Sequence, residues 1–476
     1  GLRCLDMDEI NDLSTIIKRG RIQAIGNKVI TPELAAKIGA SIGTYLGPNG
    51  IMVVAREFNN NNRMLKRAFI SGLMSTGVNI LNLHSAPVPV LQFSIRRFGA
   101  ESGVYFGNGS ASEGIVQIRF FDSSGIEYDK SNLDSVNEYF KNNKIKRANP
   151  LNVGAISDIP HTQDIYKKAI PQFIDRKLLI SKNLVAVVDC SYGPSSIVVP
   201  SILTELRNDC IAINAYENDQ KANEMFPNLR SIKDVVNIVK ASHADLGIVL
   251  DSDGSRALYI DETGTILTYE ELMMFFLKYD KELSSASSGS TIILSKSSSK
   301  VLDSFAVDLN DLKILKSKNY PGEISRTLRE ERAILGGSDT YKFYFPKYGP
   351  FSDATFTTLK IMEILATQEL PLSVLIRSFP RNLHAYKTIP ISEENLYVFI
   401  SKLKNYIRKK DIGSDEKIDF QDLLIGIKII IKDMGWVVIS PSVHVSTIEL
   451  TAEGLDPQKS EELISLATEY VEKCQK

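Results

Sequence analysis

The chain has 476 residues, with 56 Lys and Arg against 57 Asp and Glu, so its formal net charge is −1. That length exceeds what one hydrophobic core organises and points to several domains. Balanced charge gives no electrostatic case for nucleic acid or an acidic membrane surface, and no apolar run reaches the roughly 18–20 residues that cross a bilayer.

The start of the chain, LDMDEINDL, is too acidic for a secretory leader. The cysteines, Cys4, Cys190, Cys210 and Cys474, form no CxxC pair and no Cys/His group with zinc-ligand spacing. Cys190 follows the strand-like VAVVD and reads as a buried, reduced thiol. A cytoplasmic protein is expected.

In chain order, IMVV (51–54) is followed by a helical pattern near 62–76 and the strand-like VNILNL (78–83). The stretch GVYFGNGSASEGIVQIRFF (103–121) reads as a strand, a loop of small residues and a second strand. Chains place such loops where backbone approaches a ligand or turns with positive φ. LVAVVD (184–189) leads through the turn CSYGPSS and a helix to IAIN (211–214). TIILS (291–295) leads through helical VLDSFAVDL to KILKS. Each unit is a continuous apolar strand, a helix and a second strand, which is the pattern of parallel sheet covered on both faces. The fold class expected is α/β: three related α/β domains with mixed, mostly parallel sheets, followed by a C-terminal α+β domain. The last hundred residues motivate the fourth domain, because a helix, the strands IGIKIII, WVVIS and IELTAE, and a final helix run there without the crossover rhythm. The expected boundaries are 1–158, 159–260, 261–378 and 379–476, with linkers near 155–163, 257–265 and 377–386. The charged run 401–417 reads as a solvated helix face and loop. His84, His161, His243 and His384 have no partner pattern and read as core or surface residues.

Several stretches then point together: ITPELAAKIGASIGTYL near the start, HADLGIVLDSDGSRALYIDETG mid-chain, AILGGSDTYKFYF and FSDATFTTLKIMEIL later, and GWVVISPSVHV near the end. In this order they resemble the α-D-phosphohexomutases, the phosphoglucomutase/phosphomannomutase family, over residues 16–476. The resemblance implies a phosphoserine that exchanges phosphoryl groups with a sugar monophosphate, and a Mg²⁺ held by three Asp carboxylates. It also implies a general base, a loop for the sugar hydroxyls and a last loop for the non-reacting phosphate. In such a reaction, positioning and electrostatics supply nearly all of the rate.

The loops that would carry this chemistry depart from the family pattern. Where the family has T-A-S-H-N-P, Thr becomes Gly107 and the phosphoserine becomes Gly109, which has no hydroxyl. His, Asn and Pro become Ser110, Ala111 and Ser112, and the Lys that is a candidate base becomes Arg119, a poor base and a good anion clamp. A one-residue slip offers Ser110 as nucleophile, although the flanks align without a gap. The metal loop D-G-D-A-D-R reads Asp251-Ser252-Asp253-Gly254-Ser255-Arg256, with Ser255 in place of the third Asp. That leaves a weak Mg²⁺ site or an ordinary Asp/Ser turn. The sugar loop G-E-x-S-G-H reads Gly337-Ser338-Asp339-Thr340-Tyr341-Lys342: Ser338 replaces the Glu, Thr340 the Ser, and Tyr341 adds bulk. Asp339 is placed to point elsewhere than the sugar. The phosphate loop R-P-S-G-T-E-P reads Ser440-Pro441-Ser442-Val443-His444-Val445-Ser446. In the N-terminal loop, F-G-T-S-G-I-R-G in the family, Gln23 stands at the Arg position.

The reading is a phosphohexomutase fold without its mutase reaction. No cofactor is expected, with Mg²⁺ only if the altered metal loop still binds it. Lys18, Arg19, Arg21, Arg119, Arg256, Lys342 and His444 lie in or beside the converging loops and are candidates for an anion site. The site residues expected are Gly109, Ser110 and Arg119 at the reaction centre, Arg256, Ser338, Thr340, Lys342, Ser440, Ser442 and His444 for the ligand, and Asp251 and Asp253 for a metal. A sugar phosphate or other anionic small molecule is the expected ligand, and a second copy or an active relative the expected protein partner. The alternative is a weak or altered phosphohexomutase that uses Ser110 or Ser112.

Overall fold

The computed structural model describes residues 10–108, 114–159, 161–218, 229–380, 385–392, 396–411, 418–423, 426–442 and 447–475. Gly109, Ser110, Ser112, His384 and His444 lie outside the described residues.

The first sheet holds β1 (Ile17–Lys18), β2 (Arg21–Ile25), β3 (Ile51–Arg56), β4 (Asn79–Ser85), β5 (Ser102–Asn108), β6 (Ile115–Phe121) and β7 (Ile156–Asp158), in the order β1-β2-β6-β5-β3-β4-β7. The second holds β8 (Val185–Asp189), β9 (Asp209–Ile213), β10 (Leu246–Leu250) and β11 (Ala257–Ile260), in the order β11-β10-β8-β9. The third holds β12 (Thr291–Ser295), β13 (Lys313–Ser317), β14 (Leu335–Ser338) and β15 (Lys342–Tyr344), in the order β13-β12-β14-β15. The fourth is antiparallel: β16 (Ala385–Pro390), β17 (Ile418–Leu423), β18 (Gly426–Ile431), β19 (Gly435–Pro441) and β20 (Thr447–Gly454), in the order β16-β20-β19-β18-β17.

The first three sheets share a plan. In each, two parallel strands joined by a helix (β3 and β4, β8 and β9, β12 and β13) are followed by a third parallel strand beside the first (β5, β10, β14). A loop then returns as an antiparallel strand (β6, β11, β15). The three crossovers are those read from the apolar rhythm, and the central parallel strands β3, β8, β10 and β12 are buried almost throughout, as doubly covered sheet requires. Local signals agree with the elements. Thr31 caps the helix Pro32–Leu46, with Pro32 in its first turn and Gly47 at its end. Thr268 and Glu271 form a reciprocal capping box on the helix Tyr269–Tyr279.

Two stretches expected as linkers are structured. Residues 257–260 are β11, paired with β10 and closed by a turn in which Gly264 N–H donates to the Asp261 carbonyl. Residues 156–158 are β7, added in parallel to β4. In the fourth domain, β16 and β17 were not foreseen. Both are edge strands with few buried residues, so they carry little of the apolar signal that marks a strand. Cys190 is buried as a free thiol. His84 pairs with Asp158 and His161 with Asp164 on exposed surface.

Candidate functional site

The loops after β5, β10 and β14 occupy one topological position in the three related sheets, at the carboxyl end of a parallel strand. That is where open α/β sheets receive ligands. The loop 251–256 is wedged between its neighbours. The Asp253 carbonyl accepts from Val88 N–H at 2.8 Å, and the Gly254 carbonyl from Ala354 N–H at 3.1 Å. The Ser352 hydroxyl donates to the Ser255 carbonyl at 2.7 Å. Gly254 turns with φ +77, and a Cβ there would collide with Pro87 at 2.9 Å. Positive φ and close approach both favour glycine at that point.

Its charges are held in arginine pairs. Arg119 on β6 is 5% exposed; it donates through Nη1 to Asp253 at 2.8 Å and, through Nε and Nη2, to both oxygens of Glu127 at 3.2 and 3.1 Å. Arg21 on β2 grips the same Glu127 at 2.6 and 2.8 Å. Arg256 Nε donates to Asp251 at 2.6 Å. The other oxygen of Asp253 accepts from the Ser255 N–H at 2.8 Å and hydroxyl at 2.6 Å. Burial opposes charge on Arg119, but Glu127 and Asp253 outweigh it and raise its pKa. Burial likewise opposes charge on Glu127, and the two arginines outweigh it, holding the carboxyl well below its ordinary range. Asp253 is lowered against its burial, chiefly by Arg119, whereas Asp251 is raised by burial and by Asp253.

Lys342 begins β15 and completes a group of four cations. Burial, then Arg21, Arg119 and Arg256, push its pKa down to about 7. No ion pair offsets it among the described residues. On the other wall, the buried Glu57 accepts from Asn108 N–H at 3.1 Å and from the Ser252 hydroxyl at 3.3 Å. Burial, Asp253 and Asp251 raise its pKa well above the ordinary value. A Cβ at Gly107 would stand 3.3 Å from Glu57 Oε1 and 3.2 Å from the Tyr105 ring, so the position is crowded for anything larger than glycine.

The sugar-loop residues divide. The Ser338 hydroxyl meets Thr340 at 2.7 Å and donates to Asn319 Oδ1 at 2.8 Å. Asp339 turns toward the fourth domain, pairing with the buried Lys428 at 2.9 Å and accepting from Gln421 there and from Ser297 just after β12. Tyr341 has φ +64, and its hydroxyl donates to the Leu267 carbonyl at 3.2 Å, so the ring lies against the core. Ser440 lies in β19; Ser442 is buried just beyond it, its N–H donating to the Thr447 carbonyl at 2.8 Å. Arg19 reaches Asp422 of the fourth domain at 2.8 Å.

Glu127 and Glu57 were missed from the residues alone. A signal for Glu127 exists in the turn residues Asp122-Ser123-Ser124-Gly125 directly after β6. They fold the chain back, so that Glu127 stands beside the strand that carries Arg119. The Glu57 carboxyl is placed by contacts 51 and 195 residues away in sequence, which no local pattern carries.

Comparison with known proteins agrees with this architecture. Residues 18–147 match the model of phosphoglucomutase/phosphomannomutase α/β/α domain I, and residues 164–264 that of domain II. A phosphoglucomutase/phosphomannomutase of Thermococcus kodakarensis is 30% identical over 463 residues, covering 96% of this chain and 98% of the relative. This chain belongs to the α-D-phosphohexomutase family. A probable phosphoglucosamine mutase of Pyrococcus furiosus is 25% identical, with 95% and 96% of the two chains covered. Among solved structures, a family protein from Burkholderia thailandensis superposes with TM-score 0.71 at 18% identity, covering 97% of each chain. A putative phosphomannomutase from Thermus thermophilus gives 0.72 at 16% identity, covering 96% and 98%. These two likenesses carry the fold alone. Among the described residues, no helix is long and apolar enough to cross a membrane.

The residues at the metal loop do not fit the family's Mg²⁺. Both oxygens of Asp253 are engaged, and Asp251 gives one oxygen to Arg256. A divalent cation there would sit against two guanidinium groups, and the third carboxylate is Ser255. Among the described residues, no group of three His, Cys, Asp or Glu side chains is arranged to hold a metal ion.

Proposed function

We propose that this phosphohexomutase-fold protein binds a phosphate-bearing sugar in the cleft without Mg²⁺ and does not pass a phosphoryl group through position 109. One observation carries the reading: the cations Arg21, Arg119, Arg256 and Lys342 surround the loop where the family pattern places a metal, and Asp251 and Asp253 are turned to arginines. Lys342 is the cation with no ion pair, and it is the one that meets the phosphate first. Arg256 and Arg21 then share their charge with the ligand, as guanidinium groups do with phosphate oxygens. Thr340, bonded to the buried Ser338, presents a hydroxyl for the sugar. Gly109 offers no oxygen to phosphorylate, and Arg119, kept protonated by Glu127 and Asp253, takes no proton from a sugar hydroxyl.

Calorimetric titration of glucose 6-phosphate and mannose 6-phosphate, in EDTA and again in Mg²⁺, tests this. Equal binding in both is expected, with no interconversion of 1- and 6-phosphates by phosphorus NMR when a bisphosphate activator is added. Binding that EDTA abolishes, or turnover accompanied by phosphate on Ser110 or Ser112 in the mass spectrum, overturns the reading in favour of an altered mutase.

A further inference from the structure

Two cations of the first domain are buried with no carboxylate to balance them among the described residues. Arg56, at the end of β3, is 6% exposed, and Lys66, on the helix Asn60–Met74, is 4% exposed. Arg56 donates from Nη1 to the Glu57 carbonyl at 3.0 Å, and Lys66 Nζ donates to Asn82 Oδ1 at 2.5 Å. A guanidinium has five N–H donors and an ammonium three, so most of their capacity is unspent. Among the described residues, neither forms an ion pair. Buried charges are normally paired, because removing one from water without a partner costs several kcal/mol.

Two more cations of the same helix act on this pair. Arg63, three residues before Lys66, and Arg67, four after Arg63, neighbour each other along the helix, and among the described residues only Arg63 has a carboxylate, Glu217 at 3.4 Å. Asp158, the acid that raises the Lys66 pKa, is already shared by His84 and Asn82. Burial, then Arg56, draws the Lys66 pKa down to about 7, and burial, then Arg63, lowers that of Arg56. The groups acting on the pair are Arg63, Arg67, Glu217, Asp158 and the Tyr105 hydroxyl, and none of the four charged side chains belongs to the cleft described above. Among the described residues, these four cations, two of them buried, have one long ion pair between them.

We propose that Arg56, Arg63, Lys66 and Arg67 form a second anion site, separate from the cleft, that takes one oxyanion of the size of inorganic phosphate. The small size follows from the burial of Arg56 and Lys66, which leaves little of either side chain open to a ligand. Arg56 and Lys66 supply charge-assisted hydrogen bonds from below, and Arg67 closes the site from the solvent side. Such an anion neutralises the floor of the site and ties the end of β3 to the helix that follows it.

Titrating inorganic phosphate into the full chain by calorimetry, at constant ionic strength, tests the proposal. Two phosphates per chain are expected. Lys66→Met removes one of them and leaves the other, while Lys342→Met does the reverse. Arg67→Gln, an exposed change that leaves the fold intact, weakens the first by about two- to fivefold. If the cleft binds nothing, the wild type takes one phosphate that is lost in Lys66→Met and kept in Lys342→Met, which upholds this site alone. A stoichiometry unchanged by Lys66→Met and an affinity unmoved by Arg67→Gln overturn it, as does a single phosphate lost only in Lys342→Met.

Discussion

The loops 251–256 and 337–342 occupy the same place in the second and third sheets, between a parallel strand and its antiparallel return. Both have lost a carboxylate of the family pattern, at Ser255 and Ser338. Their remaining charges behave oppositely. Asp251 and Asp253 stay at the cleft because their partners, Arg256 and Arg119, come from strands or loops that border it. Asp339 is drawn out of it because Lys428, Gln421 and Ser297 wait behind. The side from which a partner comes decides whether a carboxylate serves a ligand or the fold.

The largest effect expected from breaking this contrast is on the latch behind the sugar loop. Lys428 is 3% exposed, and its ammonium lies 4.1 Å from the centre of the Trp436 ring as well as against Asp339. Lys428→Met leaves a buried carboxylate without its cation and should cost about 3–5 kcal/mol in urea unfolding. Adding Asp339→Asn should recover most of that loss, because the amide still bonds Ser297 and Gln421. A single-variant loss below about 1 kcal/mol would mean that Asp339 is not held as a buried charge.

The metal loop can be turned back toward the family pattern. Arg119→Lys together with Ser255→Asp restores a third carboxylate and replaces the guanidinium on Asp253 by a shorter, movable ammonium. The double variant should gain a melting-temperature rise of about 2–4 °C in millimolar Mg²⁺. The wild type should show none. An equal rise in both would place a usable Mg²⁺ site in the native loop and remove the contrast with the family.

A smaller, pH-dependent effect belongs to Lys342. Its pKa, drawn down to about 7 by burial and the neighbouring arginines, means that it carries charge below that pH and loses it above. Sulfate has a fixed charge near neutrality, so its affinity for the cleft should be highest near pH 6 and fall about three- to tenfold by pH 8.5. Lys342→Met should flatten the profile at the low value. A wild-type profile already flat would show Lys342 to be no part of the anion contact. The same shift acts on stability with a fixed sign. The unfolded chain holds this proton to about pH 10.4 and the native state only to about 7, so stability rises with pH across that window.

Much of the scaffold was legible because it rests on local rules. Apolar runs such as VAVVD and TIILS, separated by helices, allow little but parallel strands. The loops were located through the family pattern, and it is against that pattern that Gly109, Ser255 and Ser338 read as departures. What the residues alone did not show is which charge pairs with which. Arg119 reads as an open anion clamp in sequence, yet in the fold it is closed on Glu127 and Asp253, and the exposed role passes to Lys342. Ion pairs between sheets join residues such as Arg119 and Asp253, 134 positions apart, and no periodicity carries that information. The fold names the ancestry of a site; its partners decide its chemistry.

The smallest effect expected is at the far rim, where the first domain touches the fourth. Arg19 donates to Asp422 at 2.8 Å, but its side chain is 54% exposed. Asp422 is also held by Lys404 at 3.6 Å and by Arg408. Removing Arg19 therefore leaves no orphaned carboxylate, unlike the loss of Lys428. Arg19→Gln should change unfolding free energy by less than about 1 kcal/mol, and the difference should shrink further in about 0.5 M salt. A loss above about 2 kcal/mol that salt does not reduce would reverse the comparison. The rim contact, rather than the buried Asp339–Lys428 latch, would then be what seats the fourth domain on the rest of the molecule.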